Sequence, residues 1–64
     1  MNGRTSKLIQ RLAVARTGYG EEGAVFRLRE ARRRAIKRQW LRTPRPQRHA
    51  LRVAWLAEIR SARP

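Results

Sequence analysis

The 64-residue chain has no cysteine and no aspartate, and its only acids are Glu21, Glu22, Glu30 and Glu58. Without cysteine, neither a disulfide framework nor a thiolate metal site can form. The single histidine, His49, follows Arg48 and has no Asp, Cys or second His with which to build a catalytic dyad or bind a metal. No strand pattern is present, and no glycine-rich loop ends in Lys-Ser or Lys-Thr, so a phosphate-cradling nucleotide loop is missing too. The expectation is a protein that is not an enzyme and that carries no metal and no cofactor. Long apolar runs are also lacking. The longest, Val53-Ala54-Trp55-Leu56-Ala57, falls far short of the ~20 residues of a membrane span, and a membrane is not expected among the partners.

Positive charge fills the space the acids leave. The chain holds 17 Lys and Arg, of which only Lys7 and Lys37 are Lys, and its net charge is +13. Such a chain repels itself and seeks polyanions. Arginine forks onto phosphates and guanine and stacks on bases, whereas lysine is a point charge. The bias therefore favours structured nucleic acid, with GC-rich codon usage as the rival cause. Disorder is the bland alternative for so charged a chain. Against it, 41% of the residues are hydrophobic and they recur at helical spacing. The first 16 residues carry Arg4, Lys7, Arg11 and Arg16 and no acid, as an organellar transit segment would. The composition continues unchanged past that point, which favours one small domain over residues 1–64. At this size folding hides only about 60% of the unfolded surface, so the core is small and a partner adds stability.

The spacing predicts three helices. The first, over 6–16, places Leu8, Ile9, Leu12 and Ala15 on one face, with Thr5 or Ser6 as its cap. Thr17-Gly18-Tyr19-Gly20 breaks it, Gly18 taking the left-handed conformation of a helix C-cap. The second, over 21–42, would be roughly 33 Å long, with Glu21 and Glu22 in its first turn, where they suit the helix dipole. On the helical wheel Ala24, Val25, Leu28, Ala31, Ala35, Ile36 and Trp40 form an apolar half, and Arg27, Arg33, Arg34, Lys37 and Arg38 a basic half. Arg29 and Arg32 intrude on the apolar side, while Phe26 falls off it. Thr43-Pro44-Arg45-Pro46 ends this helix and opens a third over 46–61, whose Leu51, Trp55 and Ile59 line up at i, i+4, i+8. Arg45, Arg48 and Arg52 cluster toward its start. Short connections make neighbours pack, so the expected fold is all-α: three helices with a long central basic one.

Residues 27–52 hold 11 of the 17 cations and one acid, Glu30. A merely solvated face mixes signs; this one does not. Within it, Arg32-Arg33-Arg34-Ala35-Ile36-Lys37-Arg38-Gln39-Trp40 resembles the arginine-rich RNA-binding helix of phage N-type antitermination proteins. That resemblance implies a helix entering an RNA hairpin and a Trp stacked on a loop base, although the family's helix is disordered when free and this chain has core-like faces. Thr17-Gly18 followed by Arg27-Leu28-Arg29-Glu30-Ala31-Arg32-Arg33 resembles the turn and second helix of a two-helix hairpin protein of the large ribosomal subunit, with longer spacing and an added third helix. The preferred expectation is RNA binding as a small structural component of a ribonucleoprotein such as a ribosome, in a bacterial or phage-infected cytoplasm or an organellar matrix, with neighbouring proteins of the particle as further partners. Arg27, Arg33, Arg34, Lys37, Arg38, Arg42, Arg45, Arg48 and Arg52 would hold the nucleic acid, with Trp40 and Tyr19 as candidates for base stacking; Trp55 is expected in the core. A helix-turn-helix DNA-binding regulator of phage or bacterial type ranks second, since Glu21 and Glu22 stand where a recognition helix would begin. A basic amphipathic membrane binder ranks last.

Overall fold

The computed structural model describes residues 3–18, 20 and 22–62. Three helices follow one another: α1 (Gly3–Thr17), α2 (Gly23–Arg42) and α3 (Arg45–Ser61). The all-α, three-helix class expected from the spacing is what forms.

Both connections are made by residues suited to them. The Gly18 N–H donates to the Val14 carbonyl at 2.6 Å while its φ of 104° turns the chain out of α1, a conformation that a Cβ would strain. Glu22 precedes α2 in an extended conformation without a side-chain capping bond; it caps the helix rather than lying in its first turn, and Glu21 lies outside the described residues. Thr43 is extended because the residue before a proline avoids helical geometry. Its hydroxyl and N–H both donate to the Gln39 carbonyl, closing α2. Pro44 then caps α3, with Pro46 inside its first turn, where a missing N–H costs nothing.

The core is Leu8, Ile9, Leu12, Ala13, Ile36, Trp40 and Trp55, with Leu51 and Ile59 packed against it. Five of the fifteen residues of α1 are buried, and α1 packs on both α2 and α3. Those two meet chiefly where the Trp40 and Trp55 rings approach to 5.8 Å, tilted by 38°. The hub of the bundle is therefore α1. The long basic helix is central in chain order, while α1 is the one that packs on both others.

Two further expectations change. Helix α1 starts at Gly3, so Thr5 and Ser6 are inside it, and Thr5 is buried rather than capping. The buried side of α2 runs through Arg29, Ile36 and Trp40, with Val25 half-buried. This line is rotated by about a quarter turn from the apolar half of the wheel, at 100° per residue. Leu28 is 50% exposed, and Ala24, Ala31 and Ala35 are exposed. The cause is Arg29, only 8% exposed. One of its guanidinium nitrogens donates to the carbonyls of Gly18 at 3.2 Å and Gly20 at 3.1 Å. A buried charge is tolerated when hydrogen-bonded in this way, and docking it on the loop fixes which side of α2 faces inward. Its guanidinium also lies 5.8 Å from the Phe26 ring, which stays exposed.

Candidate nucleic-acid interface

Helix α2 is 20 residues long, about 30 Å, yet it buries only three side chains, Arg29, Ile36 and Trp40. Seven of its other seventeen residues are Arg or Lys, against one acid, Glu30. Arg27, Arg34 and Arg38 stand at i, i+7 and i+11 and so fall within an arc of about 40° on the wheel, opposite the buried line. All three are exposed, as are Arg32, Lys37 and Arg42. Arg27 additionally donates from Nε to the Gly23 carbonyl at 3.3 Å, which leans its guanidinium along the helix. Lys37 points about 60–100° away from the ridge residues, and Arg42 lies beside its C-terminal end.

The other expected site residues are arranged differently. Arg33 is half-buried and bound to Glu30, 3.1 Å from its carboxylate, so part of its charge is already matched. Arg45 is exposed at the start of α3. Arg48 and Arg52 are half-buried, and both guanidinium carbons lie 5.4 Å from the Trp40 ring centroid. Arg48 Nε donates to the Thr43 carbonyl at 3.0 Å, and an Arg52 terminal nitrogen donates to Thr5 Oγ1 at 3.1 Å. These two arginines are held by bonds to other parts of the fold, whereas on the ridge only Arg27 is bonded, and only to its own helix.

Trp40 is 7% exposed and engaged by Trp55, Arg48 and Arg52. Its expected base-stacking role is corrected to a core role: the side of α2 that buries Arg29 and Ile36 also turns the indole inward. Tyr19, the other stacking candidate, lies outside the described residues. His49 is exposed, and among the described residues no His, Cys, Asp and Glu cluster of metal-binding kind forms.

Electrostatics sharpen the picture. Among the described residues only Arg16 and Arg33 pair with a carboxylate. The Arg16–Glu58 pair bridges α1 and α3 at 2.7 Å. The hydrogen bond from Arg16 holds the Glu58 carboxyl below its usual range, partial burial opposes the shift, and the attraction of opposite charges adds to it. The remaining cations of the described chain stand uncompensated.

The sequence pattern passes over one group of cations, Arg4, Lys7 and Arg11, because a basic first helix resembles a transit segment. Their i, i+3, i+7 spacing is the available signal: it aligns them on one side of α1. There they line a groove against α3 together with Leu8, Arg52 and Leu56. No described helix is long and apolar enough to cross a membrane. Compared with family models, curated proteins and solved structures, the chain matches none.

Proposed function

We propose that this chain binds RNA as a small structural component of a ribonucleoprotein, neutralising phosphates where RNA segments converge. The observation that carries the reading is the ridge of Arg27, Arg34 and Arg38: exposed, opposite the buried line of α2, and without carboxylate partners. A helix that contributes so little to the core and so much uncompensated charge is suited to a polyanion. The predominance of arginine favours a target whose phosphates and base edges can be forked and stacked upon. Catalysis has no support in the residues present, and the reading assigns none.

Against duplex DNA as the preferred target stands the first turn of α2, Gly23-Ala24-Val25-Phe26, preceded by Glu22. A recognition helix usually enters the major groove by its N-terminal residues, and this one offers no cation there.

The test pairs a salt titration with one variant. With about six phosphates neutralised, log affinity for a structured RNA falls against log salt with a slope of about −4 to −5.5. Replacing Arg27, Arg34, Arg38 and Arg42 by Gln keeps helix propensity and relieves self-repulsion, so the melt stays level or rises. Binding weakens strongly, and the slope shrinks by about 0.7–0.9 for each phosphate no longer neutralised. A Gln variant that binds normally would reduce the ridge to a solvated surface and sink the proposal. A preference for duplex DNA over structured RNA of equal length would promote the DNA-binding alternative.

A further inference from the structure

We infer that the groove between α1 and α3 seats one unpaired nucleotide, its phosphate among Arg4, Lys7, Arg11 and Arg52 and its base against Leu56, with the buried Leu8 at the floor. The inference deepens the RNA-binding reading and rests on it for its natural ligand. It uses a surface that shares no residue with the α2 ridge.

The groove is built by spacing. Helix α1 presents Arg4, Lys7, Leu8 and Arg11 at i, i+3, i+4 and i+7, and α3 presents Arg52 and Leu56 at i, i+4; all six line one hollow of about 340 Å³. That volume lies in the range of small-ligand sites, ~300–1,000 Å³. A smaller hollow of about 160 Å³, lined by Arg11, Leu56, Ile59 and Arg60, shares Arg11 and Leu56 with the first. The two hollows adjoin at Arg11 and Leu56, and each is lined by at least two cations. Among the described residues no carboxylate lines either hollow, and Glu58, on the same helix, is bound to Arg16.

The chemistry of the lining selects the ligand. Arg52 is set in advance by its bond to Thr5 and its place over Trp40, and a guanidinium has five N–H donors, so several remain for an anion. Arg4, Lys7 and Arg11 are exposed, with side chains long enough to close on it. Inorganic phosphate would use these donors and leave Leu56, 39% exposed, uncovered. A nucleotide uses both, because every base offers an apolar face for packing. A base paired within a duplex keeps that face inside the stack, so the ligand is a loop, bulge or terminal nucleotide.

The experiment follows the ¹⁵N-labelled full chain by NMR while adenosine 5′-monophosphate, adenosine or inorganic phosphate is added. The expected result is a saturable shift with the mononucleotide, concentrated at Arg4, Lys7, Leu8, Arg11, Arg52 and Leu56. Adenosine, which loses the charge-assisted bonds, and phosphate, which loses the base contact, should each bind about tenfold more weakly or worse. The triple variant R4Q/K7Q/R11Q, whose exposed side chains leave the melt unchanged, should abolish the saturable shift. Shifts spread evenly over all cations, or phosphate matching the mononucleotide, would overturn the inference. The same chains are then titrated with a hairpin RNA. If the hairpin binds and the mononucleotide leaves the groove untouched, the groove inference falls and the RNA reading stands. If the mononucleotide saturates the groove and no RNA binds, the site stands and the RNA reading falls.

Discussion

Helices α1 and α2 spend their residues in opposite ways. The shorter helix, α1, buries Thr5, Leu8, Ile9, Leu12 and Ala13 and touches both neighbours. The longer one, α2, buries Ile36 and Trp40 toward its C-terminal end, and toward its start only Arg29. From Gly23 to Leu28 no α2 residue is fully buried, and Phe26 and Leu28 are about half exposed. The difference separates support from display: α1 holds the bundle together, and α2 uses that support to carry charge outward. A core needing only two apolar anchors from α2 leaves the rest of its surface free for binding.

The strongest way to break this comparison is to truncate one leucine from each helix. Leu12 is fully buried, so Leu12→Ala should lose about 2–5 kcal/mol, a large share of the stability of so small a domain. Leu28→Ala, on the exposed side of α2, should stay within about 0.5 kcal/mol. Thermal melts followed by circular dichroism measure both. Equal losses would mean that α2 is as much a part of the core as α1.

The pair also shows what the sequence made legible. Helix number and order and most of the faces of α1 and α3 followed from spacing: Leu8, Ile9, Leu12 and Trp55 are buried as the pattern required, while Ala13 is buried and Ala15, expected on that face, is half-buried. The left-handed Gly18 and the proline-marked start of α3 followed from local chemistry. The inward side of α2 did not, for a specific reason. Four weakly informative residues, Ala24, Leu28, Ala31 and Ala35, outvoted Ile36 and Trp40 on the wheel. An arginine is ordinarily counted as outward, yet Arg29 finds two backbone carbonyls in the loop before α2, a partnership between residues 18–20 and 29 that no periodicity encodes. The same tertiary fact turned Trp40 from a stacking candidate into core. The basic ridge was legible as density of charge; its division into free cations and held ones, Arg48 and Arg52 above Trp40, needed the packing of α3. The groove on α1 escaped notice because its aligned cations resemble a transit segment, and its α3 wall, Arg52 and Leu56, joins them only on packing.

A sharper cut acts on the one inward anchor of the N-terminal half of α2. Arg29→Met keeps an aliphatic stem and removes the donors to Gly18 and Gly20, for an expected loss of about 1–3 kcal/mol. Arg29→Lys retains a charged donor and should recover part of that. The loss should appear first as faster amide hydrogen exchange over residues 22–28, because the start of α2 has no other buried anchor. If Arg29→Met leaves both the melt and that exchange unchanged, the guanidinium does not set the rotation of α2, and the comparison between the helices loses its cause.

The smallest effect tests the tie between α1 and α3. Arg16 and Glu58 are both partly exposed, at 33% and 43% of their side-chain surface, so the pair is worth only about 0–1 kcal/mol. The Glu58 carboxyl titrates lower in the folded chain than its ordinary value because Arg16 binds it. Its contribution is therefore complete above the unfolded value, near about 4.3, and disappears as the pH falls through the lower folded value. Arg16 stays charged throughout this range and adds no pH dependence. Glu58→Gln isolates the pair from Glu21, Glu22 and Glu30, whose titration is common to both chains and cancels in the difference. At pH 7 and low salt the parent should melt about 1–4 °C above the variant, taking ~0.2–0.5 kcal/mol for the pair. The gap should close as the pH drops below the folded carboxyl's range, and it should shrink in high salt, which screens exposed charges. A gap that survives both acid and salt would show that Glu58 joins α1 to α3 by packing and not by charge.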